Sequence, residues 1–123
     1  MRNQPGPKHV AATAAMPDLR RIDEMHEHAG EVATFLKVLG NEQRLLILCN
    51  LLEAPLAVGE LNVRVNLSQS ALSQHLAVLR DAGFVESRRE SQLIYYSVKP
   101  GAVTSVMAVL QEGFCPPPRR SRA

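Results

Sequence analysis

Tryptophan is absent from the chain, and two tyrosines and three phenylalanines hold the aromatic share to 4%. A core must then be built from Leu, Val, Ile and Ala, a set that suits packed helices. No run of about 18 apolar residues occurs, so no membrane-spanning helix and no membrane partner are expected. Residues 1–16 carry Pro5, Pro7 and His9 where a secretory signal needs an unbroken apolar stretch, so a cytoplasmic location is expected. Cysteine is nearly absent too. Cys49 and Cys115 are too few for a disulfide scaffold, and in a reducing cytosol a disulfide is transient or regulatory. There is no Cys-x-x-Cys, no paired acid and base and no Gly-rich cofactor loop, so neither a thiol oxidoreductase nor any other enzyme is expected, and no cofactor.

What is present fits one domain. A chain of 123 residues has room for a single core of about 100 residues. The net charge of +2 hides an uneven distribution. Residues 22–60 hold seven acids against Lys37 and Arg44, whereas residues 61–100 set Arg64, Arg80, Arg88, Arg89 and Lys99 against Asp81, Glu86 and Glu90. The second half is therefore the one suited to a polyanion.

Periodicity supplies the elements. Ile22, Met25, Ala29, Val32, Phe35, Leu36 and Leu39 recur at spacings of three and four, which predicts a helix over 22–39 ending at Gly40. Asn41 is the expected N-cap of a second helix over 42–53, with Leu45, Leu46, Leu48, Cys49 and Leu52 inward and Pro55 ending it. A short helix over 58–65 with Leu61 and Val65 inward, a turn at Asn66 and Leu67, and a helix over 69–81 capped by Ser68 have helix-turn-helix spacing. After Gly83, two β-rich runs at 84–89 and 93–98 flank Glu90, Ser91 and Gln92 and predict a hairpin. A last helix over 101–114 puts Val103, Val106, Met107, Leu110 and Phe114 on one stripe and stops at the proline triplet. The predicted fold is mainly α with a small β-hairpin wing, a winged helix-turn-helix: four helices, two strands and a final helix. Residues 1–20 are expected to form an N-terminal arm, 21–115 the DNA-binding and dimerisation domain, and 116–123 a C-terminal tail.

In the helix over 69–81, Leu72, Leu76 and Leu79 bind to the core and leave the opposite face free. That face carries Gln69, Ser70, Ser73 and Gln74, with His75 at its border, side chains that donate to and accept from base edges in a major groove. Ser68 opens the helix, whose N-terminus suits a phosphate. Arg88 and Arg89 lie on the hairpin, and Arg64 and Arg80 are candidate anchors to the DNA backbone.

The runs LSQSALSQHLAVLR (67–80), DAGFVESRRE (81–90) and IYYSV (94–98), with LGNEQRLLIL (39–48), resemble the ArsR/SmtB family of winged-helix repressors. The likeness spans about residues 22–115. It implies a homodimer built on the first and last helices that binds an inverted-repeat operator in double-stranded DNA. By position it implies that Gln69, Ser70, Ser73, Gln74 and His75 read bases and that Arg88 and Arg89 are wing contacts. The family's metal sites find no donors here. The short helix offers Val58-Gly59-Glu60-Leu61-Asn62 where the thiol-rich site lies, and the last helix offers Val103 to Met107 where the other needs Asp and His. His26 and His28, two apart, point to different sides of a helix, so no metal is expected. Cys49 in LILCNLL (46–52) and Cys115 in GFCP (113–116) match in place and spacing the dithiol of BigR- and SqrR-like sensors of sulfide and persulfides. The resemblance therefore implies a repressor with reactive sulfur as effector, released from DNA when the dithiol is oxidised or bridged. A peroxide-responsive regulator or an anti-silencing activator of the same fold is the alternative, ahead of a metal-responsive repressor. Arg44 and the C-terminal arginines are candidate thiolate stabilisers.

Overall fold

The structure, a computed structural model, describes residues 16–117. Asp18 accepts from the Arg20 amide and opens a 3-10 turn, Leu19–Arg21, that leads into α1 (Ile22–Leu39). At the end of α1 the Gly40 amide returns to the Leu36 carbonyl at 2.9 Å. A Cβ on Gly40 would stand 3.3 Å from that same oxygen, so the tight exit favours glycine. Asn41 caps α2 (Glu42–Glu53) by accepting from the Arg44 amide at 3.0 Å, as its side-chain type predicts.

Arg44 also closes the elbow from the other side. Its Nε donates to the Val38 carbonyl at 2.7 Å and a terminal nitrogen to the Lys37 carbonyl at 3.3 Å. A guanidinium thus sits on the negative end of the α1 dipole and ties α1 to α2.

The inward face of α2 differs from the one expected. Ile47, Leu48 and Leu51 are buried, Leu45 and Leu52 half-buried, and Leu46 and Cys49 exposed. Most of the helix is apolar, so periodicity does not select its phase; contact with α4 and the sheet does.

A two-residue strand absent from the sequence reading follows, β1 (Leu56–Ala57). It is too short to show a period, yet it adds an edge to the sheet through Leu56 opposite Tyr96 and Ala57 opposite Tyr95. α3 (Val58–Arg64) starts with Glu60 reaching back to accept from the Ala57 amide at 2.9 Å. The turn to α4 (Gln69–Asp81) is held by Asn62 Nδ2 of the side chain donating to the Leu67 carbonyl, and Ser68 Oγ caps α4 by accepting from the Ala71 backbone amide. Leu72, Leu76 and Leu79 are almost wholly buried. Gly83 ends the helix at φ +79°, with the Phe84 amide on the Leu79 carbonyl, a reversal that requires left-handed backbone.

β2 (Val85–Glu90) and β3 (Leu93–Val98) pair antiparallel around Ser91 and Gln92, giving the sheet order β1-β3-β2. Ser91 takes φ +60°, the first-position geometry for which glycine is usual in two-residue hairpins. α5 (Ala102–Phe114) begins where Thr104 accepts from the Gly101 amide and packs through Val103 and Met107. Phe114, expected on the inward stripe, is 62% exposed, because the helix runs beyond the core by its last turn.

One core joins α2, α3, α4, α5 and the base of the hairpin, and no polar side chain is buried among the described residues. α1 joins it only through its second half. Phe35 rests on Phe84 with ring centroids 4.8 Å apart, and Leu39 is buried, whereas Ile22 and Met25 are 56% and 53% exposed. No helix is long and apolar enough to cross a membrane among the described residues. Arg44→Met should lower stability by about 1–2 kcal/mol, because two carbonyls lose a charged donor; chemical denaturation checks this, with an unchanged midpoint counting against the elbow.

Candidate nucleic-acid interface and thiol pair

Because three leucines of α4 face the core, the residues between them are turned out. Gln69, Ser70, Ser73 and Gln74 are exposed, and His75 is half-buried at the border, as expected for a groove-facing surface. Among the described residues the side chains of Gln69, Ser73 and Gln74 make no hydrogen bond, so their donors and acceptors are available to a partner. Ser68 is different. Its hydroxyl is engaged at the Ala71 amide and lies 3.4 Å from Ser70 Oγ, so it shapes the start of α4. Arg80 is exposed on the last turn of α4, and Arg64 stands 3.8 Å from Glu53, too far for a firm pair. Arg88 and Arg89 are exposed on β2 as adjacent strand residues, and so on opposite faces of the sheet.

The thiols lie on a separate surface. Cys49 is exposed on the outer side of α2, and Cys115 is the exposed C-cap of α5, its amide on the Gln111 carbonyl at 3.0 Å. Both are free. Partial burial pushes the Cys49 thiol up from its ordinary range, and negative charge on Cys115 pushes it further.

Arg44 does not serve as the thiolate partner suggested above. Its guanidinium is turned to the carbonyls of α1. Arg119, Arg120 and Arg122 lie outside the described residues, as do most of the N-terminal arm and the end of the C-terminal tail. Among the described residues no three His, Cys, Asp or Glu side chains are grouped to hold a metal ion. His28 instead meets Glu31 at 3.2 Å.

A groove of about 440 Å³ runs along the 3-10 turn and the first half of α1, lined chiefly by Leu19, Ile22, Met25, His28 and Val32. The sequence reading had no signal for this groove, nor for the ion pair of Arg88 with Glu90 at 3.2 Å beyond their i, i+2 spacing.

A helix-turn-helix with a free polar face, followed by a hairpin wing, defines a winged helix-turn-helix regulator of transcription. Residues 41–87 match the profile of the bacterial regulatory protein, arsR family. The transcriptional activator HlyU of Vibrio cholerae is 44% identical over 94 residues, 76% of this chain and 87% of that protein. The chain belongs to the ArsR family of bacterial transcriptional regulators. The structure of reduced HlyU from Vibrio cholerae superposes with a TM-score of 0.70, covering 76% of this chain and 98% of that one. The crystal structure of the transcriptional repressor BigR from Xylella fastidiosa does so with a TM-score of 0.70 at 37% identity, covering 77% and 97%. A homodimeric winged helix-turn-helix DNA-binding domain, Mb0332 from Mycobacterium bovis, has a TM-score of 0.62 at 29% identity, covering 80% and 87%. HlyU is named as a transcriptional activator and BigR as a transcriptional repressor.

A raised Cys49 pKa means that the fold favours the neutral thiol. The stability it contributes is present below the ordinary thiol pKa and is lost as pH rises through the folded value, in the alkaline range. Thiolate absorbance titration should therefore show Cys49 ionising later than a free thiol. In Cys115→Ser its midpoint should fall part of the way back, the remainder being burial. No movement would mean that the two sulfurs do not sense each other.

Proposed function

We propose that the chain is a homodimeric transcriptional repressor that binds an inverted-repeat operator when reduced, senses reactive sulfur through Cys49 and Cys115, and releases DNA when the dithiol is bridged. The observation that carries the sensing is a pair of exposed free thiols, one on α2 and one at the end of α5. Support for the dimer comes from the first half of α1, whose residues 22–31 are all exposed among the described residues. Ile22 and Met25 beside an apolar groove, and separately Phe114 at the end of α5, are exposed apolar side chains that a second copy would remove from water.

The chemistry follows from the thiols. Partial burial raises the Cys49 thiol and disfavours its thiolate, so Cys115, exposed as well, makes the first attack. Its thiolate takes the terminal sulfur of a persulfide RSSH, forming Cys115–S–SH and expelling the thiolate RS⁻. Deprotonated Cys49 then attacks Sγ of Cys115, closing the disulfide and expelling hydrosulfide. The dithiol loses two electrons, and the persulfide is reduced to thiol and hydrosulfide. A second sulfur transfer before closure leaves extra sulfur in the bridge.

Closure of a loop of this length in the unfolded chain costs about 4 kcal/mol of entropy, so the bridge favours the folded state. It ties α2 to α5 and so changes the tilt of α4 relative to the partner's. Two recognition helices must meet half-sites about 34 Å apart. A coupling of about 3 kcal/mol weakens binding about 150-fold, enough to empty a promoter. Identity to a named activator supports a second reading, an anti-silencing activator that uses the same DNA surface.

The wild-type protein should lose an operator gel shift on treatment with a persulfide donor, and mass spectrometry should show the two cysteines joined. Cys115→Ser should keep the shift and lose the response; a full response in this variant would sink the mechanism. For the DNA surface, Gln74→Ala should cost about 1–3 kcal/mol on operator and relax sequence preference. Equal losses on operator and random duplex would contradict base reading by Gln74.

A further inference from the structure

Arg88 and Arg89 look equivalent in sequence, and the hairpin register separates them. Val85, Ser87 and Arg89 project to one face, opposite Val98, Tyr96 and Ile94. Val85 is buried, and Tyr96 and Val98 pack against the core, so this is the face toward the helices, and Arg89 stands on its outer extension. Glu86, Arg88 and Glu90 project to the other face, opposite Ser97, Tyr95 and Leu93. β1 reaches only Tyr95 and Tyr96, so the Arg89–Ile94 and Glu90–Leu93 pairs extend past the third strand as a two-stranded wing.

The two faces carry opposite charge. Arg88 lies between two carboxylates, with its Nη2 3.2 Å from Glu90 Oε2, and that edge of β2 is net negative. Arg89 has Ser87 beside it on its face and, among the described residues, no carboxylate within 4.0 Å. An exposed ion pair adds little stability. Its consequence lies in placement: for Arg88 to take a phosphate it must leave Glu90, whose carboxylate then faces the same phosphate and repels it.

We infer that the wing is a one-sided phosphate reader, in which Arg89 makes the backbone contact and Glu90 holds Arg88 off DNA, so that Glu90 sets how strongly the wing grips. This rests on the DNA-binding reading above but needs neither the thiols nor a known operator.

The test is a fluorescence anisotropy titration of the full chain with a labelled random-sequence duplex of about 30 base pairs over a salt series, long enough for both wings of a dimer. Arg89→Ala should reduce the slope of log affinity against log salt by about 0.9 per chain. Arg88→Ala should change the slope by much less than Arg89→Ala does. Glu90→Gln should raise affinity about threefold and steepen the slope by up to about 0.9 per chain, and adding Arg88→Ala to it should abolish that gain. Melting temperatures of the four variants report hairpin integrity, and Glu90→Gln is near-isosteric. Equal slope losses for Arg88→Ala and Arg89→Ala, or no effect of Glu90→Gln, would overturn the inference while the DNA-binding reading stands. A wild-type protein without salt-dependent binding would overturn both.

Discussion

The requirement that α4 bury one face while leaving the other bare organises this molecule. Leu72, Leu76 and Leu79 are held in the core with Ile47, Leu48 and Leu51 of α2, and burial of each such side chain is worth about 1.5–3 kcal/mol. That contact fixes the rotation of α4 about its own axis, which is why Ser73 and Gln74 point outward. It also makes α2 the element against which α4 is read. Any displacement of α2 is a displacement of the exposed polar face of α4.

α2 is tied to α1: through Arg44 it is hydrogen-bonded to the C-terminus of that helix, and its outer side carries the exposed thiol of Cys49. The helix that supports α4 is thus tied to the end of α1 and carries one of the two thiols. Metal-sensing relatives implied by the family resemblance need donors on the short helix or the last helix; here those positions carry apolar and small polar side chains. The exposed chemistry of the domain is concentrated in sulfur on one surface and in amide, hydroxyl and guanidinium groups on another.

Much of the fold was legible because its signals are local. Asn41 and Ser68 as N-caps, Gly83 as the left-handed stop and the leucine stripe of α4 each depend on a few neighbouring residues, and each was found where expected. Failures occurred where local pattern is degenerate. The phase of α2 was misread, with Leu46 and Cys49 turned out instead of in, because an almost wholly apolar helix has several equivalent faces. β1 was missed because two residues carry no period.

The candidate site divides along the same line. The chain by itself determined which side chains α4 offers and that two thiols flank it, since helical spacing and composition are properties of the sequence. Only the tertiary structure decided that Arg44 serves a helix end and not a thiolate, and that Cys49 is turned outward on α2. It also decided that Arg88 and Arg89 belong to opposite faces with different counter-charges. The physical reason is distance: Coulomb and hydrogen-bond interactions act over a few ångströms, and closeness between residues far apart in sequence exists only once the core has set the elements against one another.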